Sequence, residues 1–171
     1  MFALAYGVGS AIGTLGGGFL MDYVGRSAAH RHARIMRFAA ACYAVAMIFG
    51  VLAYSSTSPT SSVVFLSAFM IVASMPNGGL FALLHGTVPE QMRAAAVAVA
   101  MFVASALGLG FGPVIVGLVS DGLFAWLGTE SLRYALTVAV LFLIWPIGQL
   151  LWVSTFVGDR ADLKSLLQSR D

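Results

Sequence analysis

Residues 94–119, AAAVAVAMFVASALGLGFGPVIVGLV, hold no ionisable side chain. The run exceeds the roughly 20 apolar residues that a helix needs to cross the hydrocarbon core of a bilayer. In a soluble domain a core of this kind needs a charged shell, and this chain has none to offer. Hydrophobic residues make up 60% of its 171 positions and charged residues only 9%, against about 25% charged in an ordinary soluble domain. Composition therefore places the chain in a membrane.

Working outward, four more charge-poor runs of similar length follow the same logic: 2–21, 35–54, 63–84 and 134–157. The connectors SSTSPTSS, HGTVPEQMR and SDGLFAWLGTESLR carry the Pro, Gly and Ser of short turns. Lipid cannot satisfy the unpaired edges of open strands, so all five runs read as helices. The expectation is an all-α membrane protein: one bundle of five transmembrane helices over 1–157 and a tail over 158–171. In that tail Leu163, Leu166 and Leu167 share one helical side, which suits either a short helix on the membrane surface or a disordered end. No basic leader precedes the first run, so it reads as a span and not as a cleaved signal.

Orientation follows from the bases. Arg26, Arg31, Arg34 and Arg37 follow the first run, Arg93 follows the third, and Arg160, Lys164 and Arg170 lie in the tail. With five alternating helices these eight of the nine bases share one side, and only Arg133 falls on the other. The basic side is expected to be cytoplasmic, which puts the C-terminus inside. Tyr54, Trp126 and Tyr134 then lie at the outer interface and Trp152 at the inner one. Bases gathered in membrane-flanking loops anchor topology and do not form a nucleic-acid surface. His30 and His32 lack a third ligand nearby, so neither a metal nor a cofactor is expected. Cys42, the single cysteine, reads as a small buried hydrophobe.

Topology alone does not account for Gly18-x-x-x-Asp22-x-x-Gly25-Arg26. A carboxylate at a helix C-terminus opposes the macrodipole and needs a partner, either Arg26 four residues on or the N-terminus of a neighbouring helix. Gly18 would admit that neighbour closely, and Gly25 would permit a tight reversal. In the third run Ser74, Pro76 and Asn77 sit near mid-membrane, where an unpaired amide is costly. Asn77 is expected to face protein or a cavity, as an interhelical hydrogen bond or as a solute contact. Tyr6 is a further cavity candidate, Gln149 a weaker one, and His85 reads as interfacial. Gly9, Gly13 and Gly17, like Gly108 and Gly112, recur every four residues and suit close helix approach. Pro113 removes a backbone donor and makes a kink or hinge, with Gly117 one turn beyond. The alternative for these last residues is static packing around a permanent kink. No Asp, Glu, Lys or Arg falls within the central half of any span, which argues against a proton relay in this segment and for an uncharged, amphipathic or apolar solute.

The G-x-x-x-D-x-x-G-R pattern of Gly18, Asp22, Gly25 and Arg26 resembles the cytoplasmic signature loop of the major facilitator superfamily. The chain departs from it at Ser27, Ala28 and Ala29, where that family often continues basic. The segment Pro89, Glu90, Arg93, Ala96, Gly108, Gly110, Gly112, Pro113, Gly117, Ser120, Asp121 is similar to the approach to, and course of, the eleventh helix in spinster-type lipid transporters and their bacterial relatives. The resemblance implies helices eight to twelve of twelve, a missing N-terminal transporter half as partner, membrane lipid around the bundle, and a small organic, amphipathic or lipid-like solute. It also implies residence in a bacterial inner or plasma membrane. Asp22, Arg26 and the adjacent glycines would form a gate latch beside Glu90 and Arg93. A chain of 171 residues cannot hold twelve spans, so a fragment or truncated product is expected. A five-helix scaffold or accessory subunit that transports nothing is the alternative. No carboxylate pair, activated nucleophile or metal-ligand spacing suggests an enzyme.

Overall fold

The computed structural model describes residues 2–25, 31–122, 128 and 130–168, with side chains over 7–25, 31–108, 110–122, 128 and 130–156. Eight α-helices account for nearly all of it: α1 (Phe2–Val24), α2 (Arg31–Ser55), α3 (Pro59–Ser74), α4 (Pro76–Thr87), α5 (Arg93–Ser105), α6 (Gly112–Gly122), α7 (Ser131–Leu141) and α8 (Ile144–Gln168). A 3-10 turn, Glu90–Met92, opens α5, and a π-helical segment, Ala106–Phe111, joins α5 to α6. No strand occurs among the described residues.

These helices combine into rods. Arg31–Ser55, Pro59–Thr87, Glu90–Gly122 and Ser131–Phe156 are each long and apolar enough to cross a bilayer. Helix α1, 23 residues with Asp22 as its single acid, has the length of a fifth, about 34 Å at the helical rise of ~1.5 Å per residue. The second rod begins four residues earlier than the run 35–54, so Arg31, Arg34 and Arg37 occupy its first two turns and not a loop. Positive charge opposes the macrodipole there, and the demand to keep bases out of hydrocarbon prevails. Helix α8 continues unbroken through 158–168, where a separate surface helix is one sequence-based alternative.

Each proline within a rod marks a break, and the repair differs. Pro76 and Pro146 have no N–H for the carbonyl four residues back. At the first, Met75 N–H donates to the Val72 carbonyl (3.2 Å), and at the second Trp145 N–H donates to the Phe142 carbonyl (3.1 Å). A tightened turn thus supplies the missing donor. Pro113 instead follows a widened π turn, Ala106–Phe111.

Helix α2 is the centre of the bundle, packing against α1, α3, α4, α7 and α8. Of its buried residues, Ile35, Ala39, Cys42, Ala46, Gly50 and Ala53 recur every three to four positions on one helical face, with Ala33 and Ala40 buried beside it, and nearly all are small. Met21, Ile35, Ala39 and Leu83 join α1, α2 and α4 in one cluster, with Leu150 of α8 packed against it. At Gly50 an added Cβ would stand 2.7 Å from Val140 Cγ1 and 3.2 Å from Phe69, so side chains of α7 and α3 rest directly on the α2 backbone.

Candidate functional site

The crossing of α1 with the α3–α4 rod gathers polar side chains near the middle of both rods. Ser74, buried, donates from Oγ to Ser10 Oγ of α1 at 3.2 Å. Thr14, one turn along α1, donates to the Ser10 carbonyl at 2.8 Å. The helices come together there because α1 presents glycine. A Cβ at Gly13 would overlap the Ile71 carbonyl, and one at Gly17 would overlap the Met75 backbone. At Gly78 a Cβ would lie 3.9 Å from both Gly18 Cα and the Thr14 carbonyl. A Cβ at Gly79 would overlap Met21 Sδ. Pro76 is fully buried at the centre of this crossing. Asn77 follows it in the first turn of α4 and is exposed, with no hydrogen-bond partner among the described residues.

Of the other solute-contact candidates, Tyr6 belongs to α1, and its side chain lies outside the described residues. Gln149 is exposed beside an apolar groove of about 500 Å³ formed with Phe142, Trp145, Gly148 and Trp152. His85 is exposed, its Nδ1 2.7 Å from the Phe81 carbonyl.

The expected gate residues fall into two groups that no described contact joins. Asp22 is exposed in the last turn of α1, with no ion pair among the described residues. Gly25 closes that helix through its N–H to the Met21 carbonyl at 2.8 Å, and the Arg31 side chain lies 3.3 Å from where its Cβ would be. Arg26 lies outside the described residues. Glu90 and Arg93 pair with each other at 3.5 Å, one turn apart and largely exposed, and Arg93 Nε also donates to the Val88 carbonyl at 3.4 Å. No described contact joins them to Asp22. Around Gly108 and Gly117 no atom stands within 4 Å of an added Cβ, and at Gly112 only the Leu107 carbonyl, at 3.9 Å, does. Pro113 is exposed.

Arg133 has a role that its sequence position does not reveal. From the first turn of α7 it donates through Nε to the Tyr54 carbonyl, through Nη2 to the Ser55 carbonyl, and through Nη1 to Glu130 Oε2 at 3.1 Å. The last carbonyls of a helix have no intrahelical donor and carry the negative end of the macrodipole, so a guanidinium is well suited to them. One signal is legible in the sequence: Arg133 is the only base between Arg93 and Arg160. At the opposite end Arg37 Nε donates to Ser154 Oγ at 3.4 Å, tying α2 to α8.

Set beside known proteins, the chain matches no family model, no curated protein and no solved structure.

Proposed function

We propose that this chain is part of a secondary transporter of the major facilitator type, in the spinster branch, moving a small amphipathic or lipid-like solute by alternating access. The observation that carries the reading is the exposed amide of Asn77 beside the Ser10–Ser74 contact at a proline-broken crossing. Hydrocarbon gives an amide no partner, so irregular polar backbone at this depth belongs against protein or a cavity. Broken helices near the midplane are where transporters of this kind bind their cargo. Asn77 and Tyr6 contact the solute through uncharged polar groups, while Ser74, buried and bonded to Ser10, holds the crossing behind them. Asp22, Gly18, Gly25 and Arg26 form the cytoplasmic latch, and Gly108, Gly112, Pro113 and Gly117 the flexing helix. The companion N-terminal half supplies the opposite wall, and the C-terminus lies in the cytoplasm of a bacterial cell.

The test is uptake of a labelled single-chain phospholipid into vesicles carrying the complete protein. Loss of one charge-assisted contact in Asp22→Asn, about 1.5 kcal/mol, corresponds to roughly tenfold slower transport with insertion intact. Unchanged uptake removes the latch. Absence of uptake of any amphipathic solute by the unaltered protein turns the reading to a scaffold.

A further inference from the structure

Where α2 ends and α3 and α7 begin, a groove of about 550 Å³ lies between the three helices. That volume falls within the range of about 300–1,000 Å³ typical of small-molecule sites. Three membrane-crossing rods terminate here, Arg31–Ser55 at its end and Pro59–Thr87 and Ser131–Phe156 at their starts. The mouth of the groove therefore stands where hydrocarbon gives way to headgroups. Polarity is graded along the rods. Glu130 and Arg133 line the groove near the rod ends, and Val63, Leu66 and Leu136 line it further in. Leu66 lies seven residues past Pro59 and Leu136 five past Ser131, depths of about 10 and 8 Å at the helical rise of ~1.5 Å per residue.

The mouth carries charge of both signs. Arg133 is fixed through Nε and Nη2 on the Tyr54 and Ser55 carbonyls and through Nη1 on Glu130 Oε2. A guanidinium has five N–H groups, and these described bonds use three of them. No described bond uses Glu130 Oε1, and the two side chains keep 35% and 53% of their surface exposed, so a ligand can reach both. The α2 carbonyls hold the guanidinium in place beforehand, which spares a ligand the cost of ordering it.

We infer that this groove holds one glycerophospholipid with a phosphoethanolamine headgroup. Its phosphate accepts from the spare N–H groups of Arg133, its ammonium donates to Glu130 Oε1, and one acyl chain runs inward along Val63, Leu66 and Leu136. A free phosphate would leave the apolar part empty and face the Glu130 carboxylate. An anionic headgroup has no cation for Glu130, and a choline headgroup has no N–H to donate to it. The site uses none of the gate or solute-contact residues, so it does not rest on the transporter reading.

The test places the complete protein in phosphatidylcholine vesicles with a trace of phosphatidylethanolamine that carries a diazirine on one acyl chain near the glycerol. Irradiation is followed by peptide mass spectrometry. The expected adducts fall on Val63, Leu66 and Leu136, and unlabelled phosphatidylethanolamine competes them away at a mole fraction about tenfold below that needed of phosphatidylglycerol. Glu130→Gln lowers this labelling by about tenfold, the worth of one charge-assisted contact. Ser62→Phe fills the groove from α3 and lowers it at least as far. The Ser62 hydroxyl bonds only the Ser58 carbonyl of its own first turn. Unchanged hydrogen exchange in the last turn of α2 shows that Arg133 keeps its place in each variant, and if Glu130→Gln loosens that turn, Ser62→Phe decides. Labelling spread evenly over exposed apolar residues such as Phe102 and Leu118, or competed equally by phosphatidylglycerol, overturns the inference. So does labelling that neither variant lowers. Displacement of the lipid by inorganic phosphate overturns it as well and marks a free-anion site.

Discussion

In α1, glycines four residues apart lie against carbonyl groups of the α3–α4 rod. In the Glu90–Gly122 rod the same spacing, at Gly108 and Gly112, has no close neighbour among the described residues. The two stretches are nearly indistinguishable as patterns. Both are long and apolar, with glycine at the interval that brings helices close together in lipid. Their surroundings differ because α1 packs closely on the α3–α4 rod, whereas among the described residues the later rod makes its main contacts with α4 and its neighbour α7. Prolines divide the same way. Pro76 is buried and its orphaned carbonyl is recovered by Met75, whereas Pro113 is exposed behind a widened turn. Small-residue spacing thus records an intention to pack, and the partner's location is separate information.

The sharpest way to break this contrast is to put the same side chain into both places. Gly17→Leu drives a branched side chain into the Met75 backbone and is expected to cost about 3 kcal/mol or more of stability in the purified chain. Gly117→Leu, in open space, should stay within about 0.5 kcal/mol. Equal losses in denaturant titrations in detergent would show that α1 is not held as described.

A smaller effect is expected where α7 meets the C-terminal end of α2. Arg133→Ala removes donors from the Tyr54 and Ser55 carbonyls and should cost about 1–2 kcal/mol. Hydrogen exchange would localise the change to the last turn of α2. An unaltered last turn would mean that solvent serves those carbonyls equally well. The smallest change, Ser74→Ala, deletes the bond to Ser10 and should cost about 0.6 kcal/mol, the average for hydroxyl contacts between membrane helices. A loss several times larger would mark Ser74 as part of a wider polar network.

The helical class and four of the rods are legible in the sequence, because hydrocarbon imposes a length and an apolar character that no other solvent demands. The proline breaks are legible as positions, since the missing N–H is a property of the residue itself. The form of each break is not. Whether a turn tightens, as at Met75 and Trp145, or widens, as before Gly112, depends on what packs around it.

The candidate site divides on the same line. Chemistry alone singles out Ser74 and Asn77 as polar groups at membrane depth. Only the packing of α1 shows that Ser74 is answered by Ser10 while Asn77 remains open. Charge counting separates Arg133 from the other bases, but its hold on the end of α2 spans nearly 80 positions of sequence and exists only once α7 is in place. Local composition determined which segments enter the membrane, because that energy belongs to each residue's transfer from water. Tertiary structure decided which faces meet, because that energy belongs to pairs of surfaces the chain brings together only when folded.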